Sequence, residues 1–212
     1  MAKAAPARLR GLIERRLDEA AVAYERDRYQ DALRILRSLP SEARDLAAVR
    51  ELRGLTFYRL GRWQEALREL RAFSSLTGSI DQLPVVADSE RALGHHDRVA
   101  DIWSEIRRSG TSSEVLVEGR LVMAGSLADR GKFQAAIALL GPTALRRVSK
   151  PHERHIRQWY LLGDLYERIG DVPRARAMFE KVVAGDPETS DAVERLSSLS
   201  AERRPSRAKG RR

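Results

Sequence analysis

Apolar and small residues between Trp159 and Pro187 fall at helical spacing. Trp159, Leu162, Gly163 and Tyr166 stand at i, i+3, i+4 and i+7 on one stripe. After a break at Gly170-Asp171, a second stripe carries Ala175, Phe179 and Val182. The pattern predicts two amphipathic helices joined by a tight turn. Such a hairpin cannot bury its apolar stripe alone, so it needs neighbours of its own kind.

Weaker copies precede it. Arg53-Gly54-Leu55-Thr56-Phe57 leads to Leu60-Gly61-Arg62-Trp63, and then to Ala66, Leu70 and Phe73. Ala20 and Ala23 lead to Asp27-Arg28-Tyr29 and Ala32; Ala124 and Leu127 lead to Gly131-Lys132-Phe133 and Ala136. The faintest copy runs from Ala87 through Gly94 to Val99, Trp103 and Ile106. Small residues of the first helices give the series Ala20, Gly54, Ala87, Ala124, Gly163, spaced 34, 33, 37 and 39. The second helices give Ala32, Ala66, Val99, Ala136, Ala175, with the same spacings. Two anchors keeping step five times point to a repeat architecture.

The Trp159 stretch resembles a tetratricopeptide repeat. Trp159, Leu162, Gly163 and Tyr166 meet the family's opening pattern, Ala175 and Phe179 its middle, and Pro187 its end. The resemblance covers roughly residues 12 to 187 and implies an all-α, right-handed solenoid of five helix-turn-helix repeats. Gly163 and Ala175 are expected to face each other where the paired helices approach. The chain departs from the family late in the second helices, where Leu39, Phe73, Ile106, Thr143 and Val182 replace a usual Ala.

Punctuation along the chain predicts the element ends. A helix is expected from about Arg8 to Arg26, and its partner ends before Leu39-Pro40, because the residue preceding proline is pushed out of the helical region. Ser41 is expected to cap a long helix reaching Leu60, closed by a left-handed Gly61. Pro84 requires the first turn of a helix capped by Asp81; Thr111 with Glu114 has capping-box spacing. Gly141-Pro142 reads as a break, with Thr143 to Ser149 an insertion that stretches the last spacing. Asp186-Pro187 reads as the start of a final helix at about 188–202, which caps the solenoid's open end. The solenoid is thus assigned to residues 1–202, with frayed residues 1–8, and a basic disordered tail to 203–212.

Composition narrows the function class. The chain has 212 residues, 42% hydrophobic, with no cysteine, so disulfides and thiolate metal sites are excluded. No apolar run suits a signal peptide or a membrane span, and the cytoplasm is the expected compartment. Of 39 basic residues only five are lysine, an arginine excess that, beside so much alanine, suggests the coding bias of a GC-rich bacterial genome. Six of the nine net positive charges sit in the tail, on Arg203, Arg204, Arg207, Lys209, Arg211 and Arg212.

Motifs for catalysis are missing. His152 and His155 stand three apart, one short of the spacing of the zinc-protease motif, and His95-His96 falls in a turn. No nucleophile elbow, phosphate loop or dinucleotide fingerprint occurs, so no enzyme activity, metal or cofactor is expected. In the family the first helices line a concave groove that holds extended peptides or helices. The lining is expected about one position round from the buried stripe, at Tyr160, Asp164 and Glu167. The same offset gives Leu17, Ala21 and Tyr24; Glu51, Leu55 and Tyr58; Pro84, Asp88 and Arg91; and Leu121, Gly125 and Ala128. The first two rows are mostly apolar and the last is acidic, suiting a protein partner with an apolar anchor and a basic end. An alternative is that Leu17, Tyr24, Leu55 and Tyr58 cover one another or an N-terminal arm. Leu17 and Ala21 stand where some relatives clamp a C-terminal carboxylate, so no such clamp is expected. Gly119 and Gly125 in one helix read as a soft repeat, the alternative being that they allow close approach by a partner. The reading is a non-enzymatic protein-binding scaffold. The alternative is an RNA- or ribosome-associated protein that binds phosphates through its tail, without aromatic stacking and so with little sequence preference.

Overall fold

The computed structural model describes residues 7–145, 148, 150–186 and 191–201. These form eleven α-helices and no strand: α1 (Ala7–Glu25), α2 (Tyr29–Arg37), α3 (Ala47–Arg59), α4 (Trp63–Thr77), α5 (Leu83–Ala92), α6 (His96–Arg108), α7 (Ser113–Asp129), α8 (Phe133–Ala144), α9 (Glu153–Arg168), α10 (Val172–Gly185) and α11 (Ala192–Ala201). They fall into two compact units, Met1–Gly119 and Arg120–Arg212. The basic residues from Arg203 to Arg212 lie outside the described residues.

One turn recurs five times. Asp27, Gly61, Gly94, Gly131 and Gly170 all have positive φ, between 57° and 77°. Each follows a first helix by the same geometry. The amide after it donates back to a carbonyl five residues earlier, as Arg62 N to Phe57 O (2.9 Å), Lys132 N to Leu127 O (2.8 Å) and Asp171 N to Tyr166 O (2.9 Å). Its own amide donates to the carbonyl three residues earlier, as Gly61 N to Tyr58 O at 3.0 Å. This is the Schellman closure, which satisfies orphan carbonyls by placing one residue in the left-handed region. These residues repeat at 34, 33, 37 and 39, a third anchor in step with the other two. Asp27 is the one non-glycine among the described residues with positive φ, and its type tolerates that region better than most.

Small residues then let the paired helices close. Ala32, Ala66, Val99, Ala136 and Ala175 have no exposed surface. A Cβ on Gly54 would lie 2.7 Å from the buried Leu70 side chain, and one on Gly163 would lie 3.0 Å from the Phe179 ring. Gly163 therefore packs against Phe179, one turn beyond the Ala175 expected opposite it. Gly119 is likewise a site of close approach rather than a soft spot, since its Cβ would lie 2.8 Å from Ile106 and 3.3 Å from Trp103. The bulky departures are core residues: Leu39, Phe73, Ile106 and Val182 are all buried. In the first unit α1 touches α3 and α3 touches α5, so first helices of successive repeats lie side by side.

Several predicted ends move. Ser41 does not cap a long helix. It opens one 3-10 turn, Ser41–Ala43, and α3 starts six residues later behind an extended Leu46. Its hydroxyl donates to Glu42 Oε2 at 3.1 Å instead of accepting from a helix amide. Asp81 is engaged by the Ser79 hydroxyl at 2.9 Å, and Gln82 takes the N-cap position, with Pro84 in the first turn as required. Ser112, not Thr111, faces the start of α7, its hydroxyl accepting from Val115 N at 3.4 Å. Gly141-Pro142 does not break α8, which continues to Ala144. Proline removes one donor there, but the last turn still holds through Leu145 N to Gly141 O (3.1 Å) and Thr143 Oγ1 to Leu140 O (3.0 Å). The helix thus ends at Ala144, and Trp159 Nε1 ties back to Ala144 O at 2.8 Å. Asp186 ends α10 in an extended conformation, and Pro187 lies outside the described residues.

Candidate functional site

Most groove positions of the first unit are half-buried, and three of them, Tyr58, Asp88 and Arg91, are linked to one another. Tyr58 reaches from α3 to α5, where its hydroxyl donates to Asp88 Oδ2 at 2.7 Å. Asp88 Oδ1 accepts from Arg91 Nη1 at 2.7 Å. Glu51, two turns before Tyr58 on α3, accepts from Gln82 Nε2 at 2.8 Å. Leu55 packs on the cluster of Leu67, Leu70 and Val86, and Leu17 on that of Ile13, Ala20, Leu36, Leu39, Ala43 and Val49. Tyr24 meets the Tyr29 ring edge-on at 5.4 Å between centroids, and Arg59 stacks over that ring at 4.7 Å. Burial raises the Tyr24 hydroxyl pKa, against the opposing pull of Arg59. Pro84 is buried, as are Leu121 and Gly125 in α7, so these three present no lining.

In the second unit the three predicted positions of α9 converge on one cation. Arg195 of α11 sends Nη2 to Asp164 Oδ1 at 2.8 Å, Nε to Glu167 Oε2 at 2.9 Å and Nη1 to the Tyr160 hydroxyl at 3.2 Å. Its guanidinium also lies 4.5 Å from the Phe179 ring centroid and 5.5 Å from that of Tyr160. Tyr160 in turn donates to Asp191 Oδ1 at 2.7 Å. Burial lowers the Arg195 pKa, but bonds from Asp164, Glu167 and Tyr160 outweigh it, and the net shift is upward. The acidic row expected to receive a basic partner is met by a basic residue of this chain. The signal was present in the sequence: Arg195 is the one basic residue between 188 and 202.

The remaining candidates are structural. His152 and His155 close the start of α9 reciprocally, with His152 N donating to His155 Nδ1 at 3.0 Å and the rings stacked at 5.8 Å. Burial, then the Arg154 charge, lowers the His155 pKa. His95 sits against the fully buried Glu90, Nδ1 to Oε2 at 2.6 Å. Among the described residues no helix is long and apolar enough to cross a membrane.

Against known proteins, the sequence model described as Tetratricopeptide repeat matches residues 121–189 and 160–206. Residues 121–206 carry tetratricopeptide repeats. Solved tetratricopeptide-repeat proteins share the fold beyond those residues. A thermophilic one from Thermus thermophilus is 19% identical, with a TM-score of 0.69 over 89% of this chain and 99% of that one. The C-terminal part of a repeat protein from Cytophaga hutchinsonii is 14% identical, with a TM-score of 0.62 over 87% of this chain and 70% of that one. YrrB, a tetratricopeptide-repeat protein with an unusual peptide-binding site, is 16% identical, with a TM-score of 0.53 over 92% of this chain and 100% of that one. No curated protein matches the sequence. The all-α tetratricopeptide solenoid expected from the sequence is therefore the fold of this chain.

Proposed function

We propose that this protein is a non-enzymatic scaffold that holds an extended peptide or a helix of another protein on the first helices of its repeats. Tetratricopeptide repeats of this kind generally bind proteins rather than transform substrates. The observation that carries the reading is the continuous row on α3 and α5: Glu51, Leu55, Tyr58, Asp88 and Arg91 are partly exposed, and hydrogen bonds to neighbouring groups hold its polar members in place. A row fixed in this way presents aromatic and charged contacts at low entropic cost, which favours binding. Leu17 and Tyr24 extend the row on α1. A peptide-binding site in the structurally similar YrrB is in keeping with this reading.

A displayed library of random peptides selected on the full chain tests it. Selected peptides should lose at least about tenfold in affinity for the Tyr24→Ala, Tyr58→Ala double variant, at unchanged helical content, because aromatic contacts dominate many interfaces. They should still bind the chain ending at residue 202. Loss of all binding on removal of residues 203–212, with the repeats folded, would transfer the function to the tail and its six cations.

A further inference from the structure

The contact that closes the second unit also describes a ligand. Two carboxylates, a phenol hydroxyl and an aromatic face surround one guanidinium, which keeps only 18% of its side chain exposed. Arginine suits such a cage because its planar fork donates in several directions at once and stacks on rings, which a lysine ammonium does not reproduce. The helix that brings it is otherwise weakly fastened. Among its described side chains only Ala192 and Leu199 are buried, while Val193 is 47% exposed and Glu194, Ser197 and Ser198 face water. A ten-residue helix has little stability of its own and depends on what it packs against. Here one arginine bonds three side chains of α9.

We propose that the cage formed by Tyr160, Asp164, Glu167 and Phe179 is an exchangeable site for an arginine-bearing helix, occupied by α11 in the resting chain and taken over by a partner helix of the same pattern. That pattern is read from α11 itself: a small apolar residue three positions before the arginine and a leucine four positions after it, as in Ala192, Arg195 and Leu199. The partner's arginine replaces Arg195 against the same two carboxylates, and its leucine replaces Leu199. The helix α11 therefore acts as an internal competitor that sets a threshold for binding. This assignment specifies partner chemistry within the scaffold reading and rests on it, but it uses the second unit, whereas the row on α3 and α5 belongs to the first.

A labelled synthetic peptide of residues 187–202 serves as the probe, with the full-length Arg195→Ala chain as receptor and fluorescence anisotropy as the readout. The peptide should bind this receptor at least about tenfold more tightly than it binds the parent chain, whose own arginine fills the cage. Replacing the peptide's arginine by alanine or lysine should weaken binding at least about tenfold, as should Asp164→Asn with Glu167→Gln in the receptor. Equal binding of the arginine and alanine peptides would overturn the proposal, as would no binding to a receptor whose far-UV circular dichroism matches the parent. The Tyr24→Ala, Tyr58→Ala variant, combined with Arg195→Ala, should bind this probe normally, so failure of the groove reading and failure of the cage remain distinguishable.

Discussion

Glu69 gives the sharpest test of how the first unit is held. It lies in α4 at 3% exposure and accepts from Arg50 Nη1 at 2.8 Å and Arg53 Nη2 at 2.5 Å, both on α3. Burial alone raises its pKa, but the bonds and charges of Arg53 and Arg50 more than reverse this, and the net shift is downward. A carboxyl whose folded pKa lies below its unfolded value stabilises the fold above the unfolded value, about 4.3. That contribution disappears as pH falls through the folded pKa. Removing one member of a buried ion pair costs about 3–5 kcal/mol. Arg50 and Arg53 retain 22% and 14% of their side-chain exposure, and glutamine keeps one acceptor oxygen. Glu69→Gln should therefore cost about 2–3 kcal/mol at pH 7, after that discount. Urea unfolding with pulsed hydrogen exchange of α3 and α4 measures it in the elements concerned. With a slope of about 2 kcal/mol per molar, the midpoint should fall by roughly 1–1.5 M at pH 7. The gap should shrink as pH falls below that unfolded value, as the parent's own carboxyl becomes protonated. A gap below about 1 kcal/mol at pH 7, or one independent of pH, would refute this account of Glu69.

Three further changes probe the repeat geometry. Gly131→Ala should cost about 1–2 kcal/mol in a urea melt, wholly from its φ of +70°, since nothing lies within 4 Å of the added Cβ. Ala175→Leu should overpack the α9–α10 contact by about 1–3 kcal/mol, read as a lower melting temperature, because Ala175 has no exposed surface. Trp159→Phe should cost about 1–3 kcal/mol and speed amide exchange at the end of α8, since it leaves the Ala144 carbonyl without its buried donor.

The hairpins were legible because their demands are local. A Schellman closure needs a left-handed residue, and a close helix pair needs a small one, so Gly61, Gly131, Gly170, Ala66 and Ala175 mark them directly in the sequence. The misplaced starts have a different cause. Ser41, Asp81 and Thr111 are all good caps by type, and each lost the role to competing polar partners or to the neighbouring residue. Gly141-Pro142 misled for a related reason. A proline costs a helix most where its missing amide would be buried or needed; in the last turn of α8 neighbouring bonds carry the chain past it.

The candidate site was legible by position but not by occupancy. An offset of one position from the buried stripe did find residues that meet, since Tyr58 reaches Asp88 and Tyr160, Asp164 and Glu167 share one arginine. Periodicity ranks positions around a helix, but it cannot show which distant residue arrives over a given face. Arg195 and Tyr160 are 35 positions apart, and only the path through α10 and the following link brings them together. The same limit explains Glu69, which helical spacing places between buried Ala66 and Phe73 yet which is an acid. Its burial makes sense only once Arg50 and Arg53 are seen across the helix pair. Charged residues in these repeats are thus divided by pairing rather than by periodicity: Glu69 is held by two arginines across its hairpin, and Asp164 and Glu167 by one arginine from α11.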